Sequence, residues 1–365
     1  MRVPRVAFLS GGAHRALDPS APKAAGGAEL QVALLAGELA KRGGRPVLLA
    51  PEGAAPDGAE WGGVRIRAAG RFDTGGVADA LRALPAVARA ISSERPDWAV
   101  VYGWTSWLWL LCLMRRALGV RVAFVCALDG EVDGTFRREN PLRGALFERG
   151  IRLADARFGI TAGHVAAFRR AGLTAGLVRL LLQPGVAPGR AVTKTRDLLW
   201  VARCHAVKRP HLFLDLAERL PEASCRMVCS PQDRGLWESV KERAGLLPNV
   251  DFCAGVSYRD VQAEFDAARA FVNTSLDEGV PNTFIHSAAG GAAIASLLAD
   301  PDGLIARFGA GVSAGGDFEG LARGVSRLLR KPEALAAAAA GAARFLAEWH
   351  DNTANVDAFL AGLAA

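Results

Sequence analysis

Short apolar runs alternate along the chain with longer segments in which apolar residues recur at helical spacing, from the first ten residues onward. That alternation predicts repeated βαβ units and a parallel sheet. Residues 6–9 and 47–50 read as strands flanking a helix over 29–41, whose apolar positions Leu30, Ala33, Leu34 and Gly37 keep helical spacing up to a Gly43-Gly44 stop. Further strands are expected at 64–67, 98–101, 121–128, 156–160 and 177–182, with helices at 77–91, 106–118, 142–153 and 164–171. Residues 183–197 (QPGVAPGRAVTKTRD) break the pattern with two prolines and two glycines, which predicts a linker. A second series follows, with strands at 198–201, 225–229, 250–253, 270–273 and 292–296. Its helices are expected at 211–220, 234–244, 260–268, 283–289 and 318–329, and alanine-rich helices at 333–346 and 355–363 end it.

Length agrees with this doubling, since 365 residues at about 150 per domain point to two domains. The expected division is 1–190, 191–345 and a helical segment 346–365 that packs back on the first domain. With 51% hydrophobic and 22% charged residues, disorder and charged coiled coils are excluded. The opening MRVPRVAFLS lacks a signal-peptide core, so a cytoplasmic location is expected. The most apolar window, 98–114, is interrupted by Tyr102, Gly103, Thr105 and Ser106 and is too short to span a bilayer. Six scattered cysteines fall in apolar surroundings and read as buried thiols.

Charge is unevenly distributed. Residues 1–190 carry 26 Lys and Arg against 16 Asp and Glu, whereas 191–365 carry 18 against 21. A basic half facing something anionic and a basic half that is solvated surface are both open readings. No aromatic-interleaved basic patch or recognition-helix pattern supports nucleic-acid binding.

In open α/β sheets the loops after the strands carry the chemistry. Three stand out. Ala25-Gly26-Gly27-Ala28-Glu29 opens a helix, where bare amides and the helix N-terminus suit an anion. VARCHAVK (201–208) places Arg203 and Lys208 five apart, two cations suited to a phosphate pair. DEGVPNTFIH (277–286) puts Glu278 before a Gly-Val-Pro turn and a helix start at Asn282, a polar cup suited to sugar hydroxyls. No GxGxxG, P-loop or metal-ligand spacing is present.

These motifs, in this order, resemble those of the retaining nucleotide-sugar glycosyltransferases of the GT-B fold, in the large family-four (group 1) type: GGAE with Gln31, V-G-R-x-x-x-x-K, and E-G-x-P-N followed by a second glutamate. The resemblance covers essentially the whole chain. It implies two Rossmann-like doubly wound domains facing across a cleft, and transfer of a sugar from a nucleotide diphosphate to a hydroxyl acceptor with retention. It further implies that Arg203 and Lys208 neutralise the diphosphate and that Glu278 holds sugar hydroxyls. Gly26, Gly27, Gly279, Val280, Pro281 and Asn282 would line the donor, with no cofactor and no metal. Two departures stand out. His286 occupies the place of the ribose-binding second glutamate, where it would contact the donor through a ring nitrogen. The histidine often found after the strand at 121–128 is absent, and Asp129 is placed near the acceptor instead. The alternative is a GT-B protein that binds a nucleotide sugar without turning it over. Trp104, Trp107 and Trp109 with Arg115 and Arg116 fit either a core helix with solvated arginines or a surface resting on an anionic membrane, with a lipid-linked acceptor.

Overall fold

The computed structural model describes residues 3–18, 26–72, 77–184, 186, 193–257 and 260–365. They form two compact units, Met1–Leu181 with Asn352–Ala365, and Leu182–Asp351.

The first unit is built on β1 (Val6–Leu9), β2 (Val47–Ala50), β3 (Glu60–Trp61), β4 (Val64–Ala68), β5 (Trp98–Tyr102), β6 (Arg121–Cys126), β7 (Ala156–Gly159) and β8 (Gly176–Leu177). Their order is β3-β4-β2-β1-β5-β6-β7-β8, parallel throughout except for the β3–β4 hairpin pair. Every residue of β1 and β2 is buried, which explains why these strands read as unbroken apolar runs: helices cover both faces of the sheet. Those helices are α1 (His14–Leu17), α2 (Gly27–Lys41), α3 (Val77–Glu94), α4 (Trp107–Leu118), α5 (Thr135–Glu139), α6 (Pro141–Leu153) and α7 (Ala162–Arg170). Gly150 lets α6 approach α4, because a Cβ there would lie 2.8 Å from the Trp109 amide nitrogen. Trp107 is fully buried, and Trp104 and Trp109 pack against the same core. Trp107 is a core residue, and Trp104 and Trp109 are half-buried at its edge.

The second unit has a wholly parallel sheet of order β11-β10-β9-β12-β13-β14. Its strands are β9 (Arg196–Cys204), β10 (Cys225–Pro231), β11 (Val250–Cys253), β12 (Ala268–Asn273), β13 (Ala293–Ser296) and β14 (Gly311–Ser313). The helices are α8 (Pro210–Arg219), α9 (Arg234–Gly245), α10 (Val261–Ala267), α11 (Asn282–Ala289), α12 (Leu304–Phe308), α13 (Phe318–Arg330) and α14 (Pro332–Trp349). The sequence missed the short elements α1, α5, α12, β3 and β14, which lack enough length for a period.

Three expectations shift. The strand expected at 177–182 ends at Leu177, because the Leu181 amide donates to Gln31 Oε1 (2.7 Å) and the Arg179 amide to Asn355 Oδ1 (3.2 Å) instead of to a neighbouring strand. β6 stops at Cys126, where the chain turns. β9 runs on to Cys204, pairing Arg203 with Ser230, so Arg203 lies on a strand rather than in a loop.

The division between units falls at Leu181 and Leu182; the expected boundary at 190/191 lies outside the described residues. The return to the first unit begins at Asn352, later than residue 346, because Phe345 and Trp349 at the end of α14 pack on Phe308 (centroids 5.9 and 5.2 Å). α15 (Asn352–Ala364) then docks on the first unit, with Phe359 against Phe158 (4.9 Å) and Arg42 donating to the Thr353 carbonyl (3.0 Å).

Candidate active site

The strand order of the second unit reverses between β9 and β12, and loops at the carboxyl ends of such a pair form the crevice where open α/β sheets bind ligands. The motifs carrying Arg203, Lys208 and Glu278 leave from these two strands. After β9 the chain makes one 3₁₀ turn, Ala206–Lys208, and enters α8 through Arg209. Arg209 adopts φ 46°, ψ 56°, a left-handed conformation that costs a non-glycine residue about 1 kcal/mol or more and persists only where the surroundings enforce it.

The enforcement is visible. Arg209 Nε donates to the Thr274 carbonyl (2.7 Å) and its Nη2 to that of Ser275 (3.2 Å). The buried Thr274 hydroxyl accepts from Trp200 Nε1 (2.9 Å) and donates to the Lys208 carbonyl (2.6 Å). The Leu276 amide donates to the Val207 carbonyl (2.8 Å). These bonds fasten the loop after β9 to the loop after β12.

On this frame Lys208 Nζ donates to Glu278 Oε1, forming an ion pair whose side chains are only 22% and 17% exposed. The Ser275 hydroxyl donates to the same oxygen (2.8 Å). Glu278 Oε2 has no protein partner among the described residues. Gly279, Val280 and Pro281 follow as a buried turn into α11, with Asn282 as its first residue. Lys208 and Glu278 are therefore brought together. Arg203 touches neither; its side chain is exposed and has no partner among the described residues.

His286 is a different case. It is 4% exposed and stacks on Phe265 (5.3 Å). Its Nδ1 lies 2.7 Å from Gln262 Oε1 and its Nε2 lies 3.0 Å from Gln183 Nε2. A neutral ring with the proton on Nδ1 satisfies both contacts, donating to the carbonyl oxygen and accepting from the amide. Burial pushes the imidazole down to about 4, which keeps it neutral. In the ligand-free protein both ring nitrogens of His286 thus contact glutamine side chains inside the unit.

The first unit holds its own polar loops. Gly26 is the N-cap of α2, and its amide donates to Glu29 Oε2 (2.5 Å). The Glu29 carboxylate also lies against Gly12, where a Cβ would fall 2.0 Å from Glu29 Oε1 and displace it. Gly27 begins α2 and is exposed. After β6, the buried Glu131 accepts from the amides of Trp104 and Ala127 (both 2.8 Å). Burial outweighs these bonds and pushes its carboxyl up; burial likewise raises Tyr102 and Cys126 beside it. Asp129 Oδ1 accepts from His164 Nε2 at 2.8 Å, with the carboxylate 65% exposed and the imidazole 1%. Sequence reasoning missed His164, which lies on α7 and reads there as an ordinary amphipathic-helix residue.

Among solved structures, the chain is similar to the sucrose-phosphate synthase of Thermosynechococcus elongatus, at 16% identity and a TM-score of 0.79, over 99% of this chain and 98% of that one. It is similar also to an α,α-trehalose-phosphate synthase (UDP-forming) of Burkholderia vietnamiensis (17%, TM-score 0.71, 99% of each chain). A third is WaaG, a glycosyltransferase involved in lipopolysaccharide biosynthesis (15%, TM-score 0.71, 97% and 98%). These likenesses define the fold class, GT-B. No curated protein matches the chain in sequence. Residues 26–182 match the family described as glycosyl transferase 4-like domain and residues 195–331 that described as glycosyl transferases group 1. The chain belongs to the group 1 GT-B glycosyltransferases and is an enzyme of glycosyl transfer.

Proposed function

We propose that the crevice at β9 and β12 binds a nucleoside diphosphate sugar and that the enzyme passes the sugar to a hydroxyl acceptor with retention, without a metal. The observation carrying this is the convergence of Lys208 and Glu278, 70 positions apart, at the switch point of the second sheet. Lys208, with Arg203, would neutralise the diphosphate, and Glu278 would accept hydrogen bonds from sugar hydroxyls. The buried turn at Gly279, Val280 and Pro281, with Asn282 at the start of α11, would complete the donor set of this unit. The name of the UDP-forming structural neighbour agrees with a nucleotide-diphosphate leaving group.

In the reaction the anomeric carbon–oxygen bond breaks with its electron pair moving to the phosphate. The acceptor oxygen bonds to the anomeric carbon, and its proton passes to the departing phosphate. Fixed cations stabilise that charge without reorganising, an effect worth several kcal/mol (on the order of 3) in such sites. Asp129, rigidly presented and exposed, would accept the acceptor hydroxyl. The arginine-rich first unit would favour an anionic or lipid-linked acceptor and contact with an anionic bilayer; sedimentation with anionic liposomes at low salt tests this, and its absence removes the membrane contact.

The primary test is a thermal-shift series with UDP-, GDP-, ADP- and dTDP-sugars in the presence of EDTA. Stabilisation by one of them is expected, growing with ligand concentration as linkage requires. No shift with any donor would overturn the reading. Anomeric configuration of the product, read by NMR, tests retention.

A further inference from the structure

We infer that Glu278 discriminates the sugar nucleotide from the bare nucleoside diphosphate by competing for Lys208, and so drives product release. The inference rests on the donor reading above and extends it to the step after transfer.

In the ligand-free enzyme the Lys208 ammonium is already neutralised by Glu278, which also receives the Ser275 hydroxyl (2.8 Å). Both charges are mostly withdrawn from water, at 22% and 17% exposure. A ligand that takes Lys208 therefore leaves a partly buried carboxylate with one hydroxyl partner, an arrangement that costs free energy unless something replaces the ammonium. A nucleoside diphosphate sugar makes both replacements at once, its phosphates receiving Lys208 and its sugar hydroxyls donating to Glu278. A free nucleoside diphosphate makes only the first. The same site therefore binds donor and product with different penalties. When the sugar leaves, Glu278 loses its hydroxyl partners, recaptures Lys208 and weakens the hold on the product. The frame that fixes the two loops, from Arg209 to Thr274 and Ser275 and from Leu276 to Val207, keeps the pair within reach in both states.

The experiment is calorimetric titration of UDP, GDP, ADP and dTDP, and of the matching sugar nucleotide, into the wild type, Glu278→Gln, Lys208→Met and the double variant. Glutamine keeps the shape and the hydrogen-bonding oxygen while removing the charge. Glu278→Gln is expected to bind the preferred nucleoside diphosphate roughly fivefold tighter, the scale of a partly exposed ion pair, and the sugar nucleotide more weakly than wild type. In the Lys208→Met background the Glu278→Gln gain should vanish. An equal gain with and without Lys208 would mean plain repulsion of the phosphates and would overturn the competition. Unchanged or weaker nucleoside diphosphate binding by Glu278→Gln, with normal wild-type binding, would overturn this inference and leave the donor site standing. Wild-type protein that binds none of the four nucleotides would remove the donor site itself.

Discussion

The two sheets end in polar loops of opposite construction. In the second unit the main chain and Arg209 do the fastening, so Lys208 and Glu278 are left to pair with each other, mostly withdrawn from water. In the first unit the acidic side chain itself does the fastening: Glu131 is 6% exposed and holds the amides of Trp104 and Ala127. One carboxylate thus pairs with a lysine tip and a hydroxyl, and the other is a structural strut on main-chain amides. Residue type alone does not distinguish them; burial and partners do.

The largest effect that sharpens this contrast is expected from Glu278→Ala. Transfer should fall by more than about a hundredfold, as for loss of a group contacting the transition state, with the melting temperature nearly unchanged; comparable activity would break the assignment. Lys208→Ala should weaken nucleoside diphosphate binding by about 1.5–3 kcal/mol, the scale of a charge-assisted hydrogen bond, again with the fold intact. Glu131→Ala should do the reverse. Two half-buried amides lose their acceptor, so denaturant unfolding should show a loss of about 2 kcal/mol, while nucleoside diphosphate affinity stays at the wild-type value.

The smallest effect concerns His286. Its imidazole is pushed down from 6.5 to about 4 by burial, so the unfolded chain takes up a proton at higher pH than the folded one. Stability from this site is complete above pH 6.5 and is lost as pH falls toward about 4. Between pH 7 and 5 the loss amounts to about 1–2 kcal/mol, and His286→Gln should flatten that part of the stability profile. An identical profile in the variant would show that the ring is not held neutral.

The strands were legible where they are buried on both faces, and 6–9 and 47–50 have the limits their apolar runs suggest. The loop motifs were legible as residue types. What they touch was not, because the partners are remote in sequence: Lys208 and Glu278 are 70 positions apart, Asp129 and His164 are 35, and Gln262 and His286 are 24. The same limit hid the partner of Gln31, whose side chain takes the Leu181 amide 150 positions away. It also hid the partner of Trp107, whose indole N–H donates to the Phe72 carbonyl 35 positions away.

The return of α15 to the first unit has a consequence for synthesis. The second unit is a guest inserted within its host, because the host consists of Met1–Leu181 and Asn352–Ala365. A ribosome making this chain finishes the whole guest before it delivers the helix that covers Phe158 with Phe359. Until then the host presents an uncovered apolar face, so its protection from proteases should mature only after the second unit is already folded.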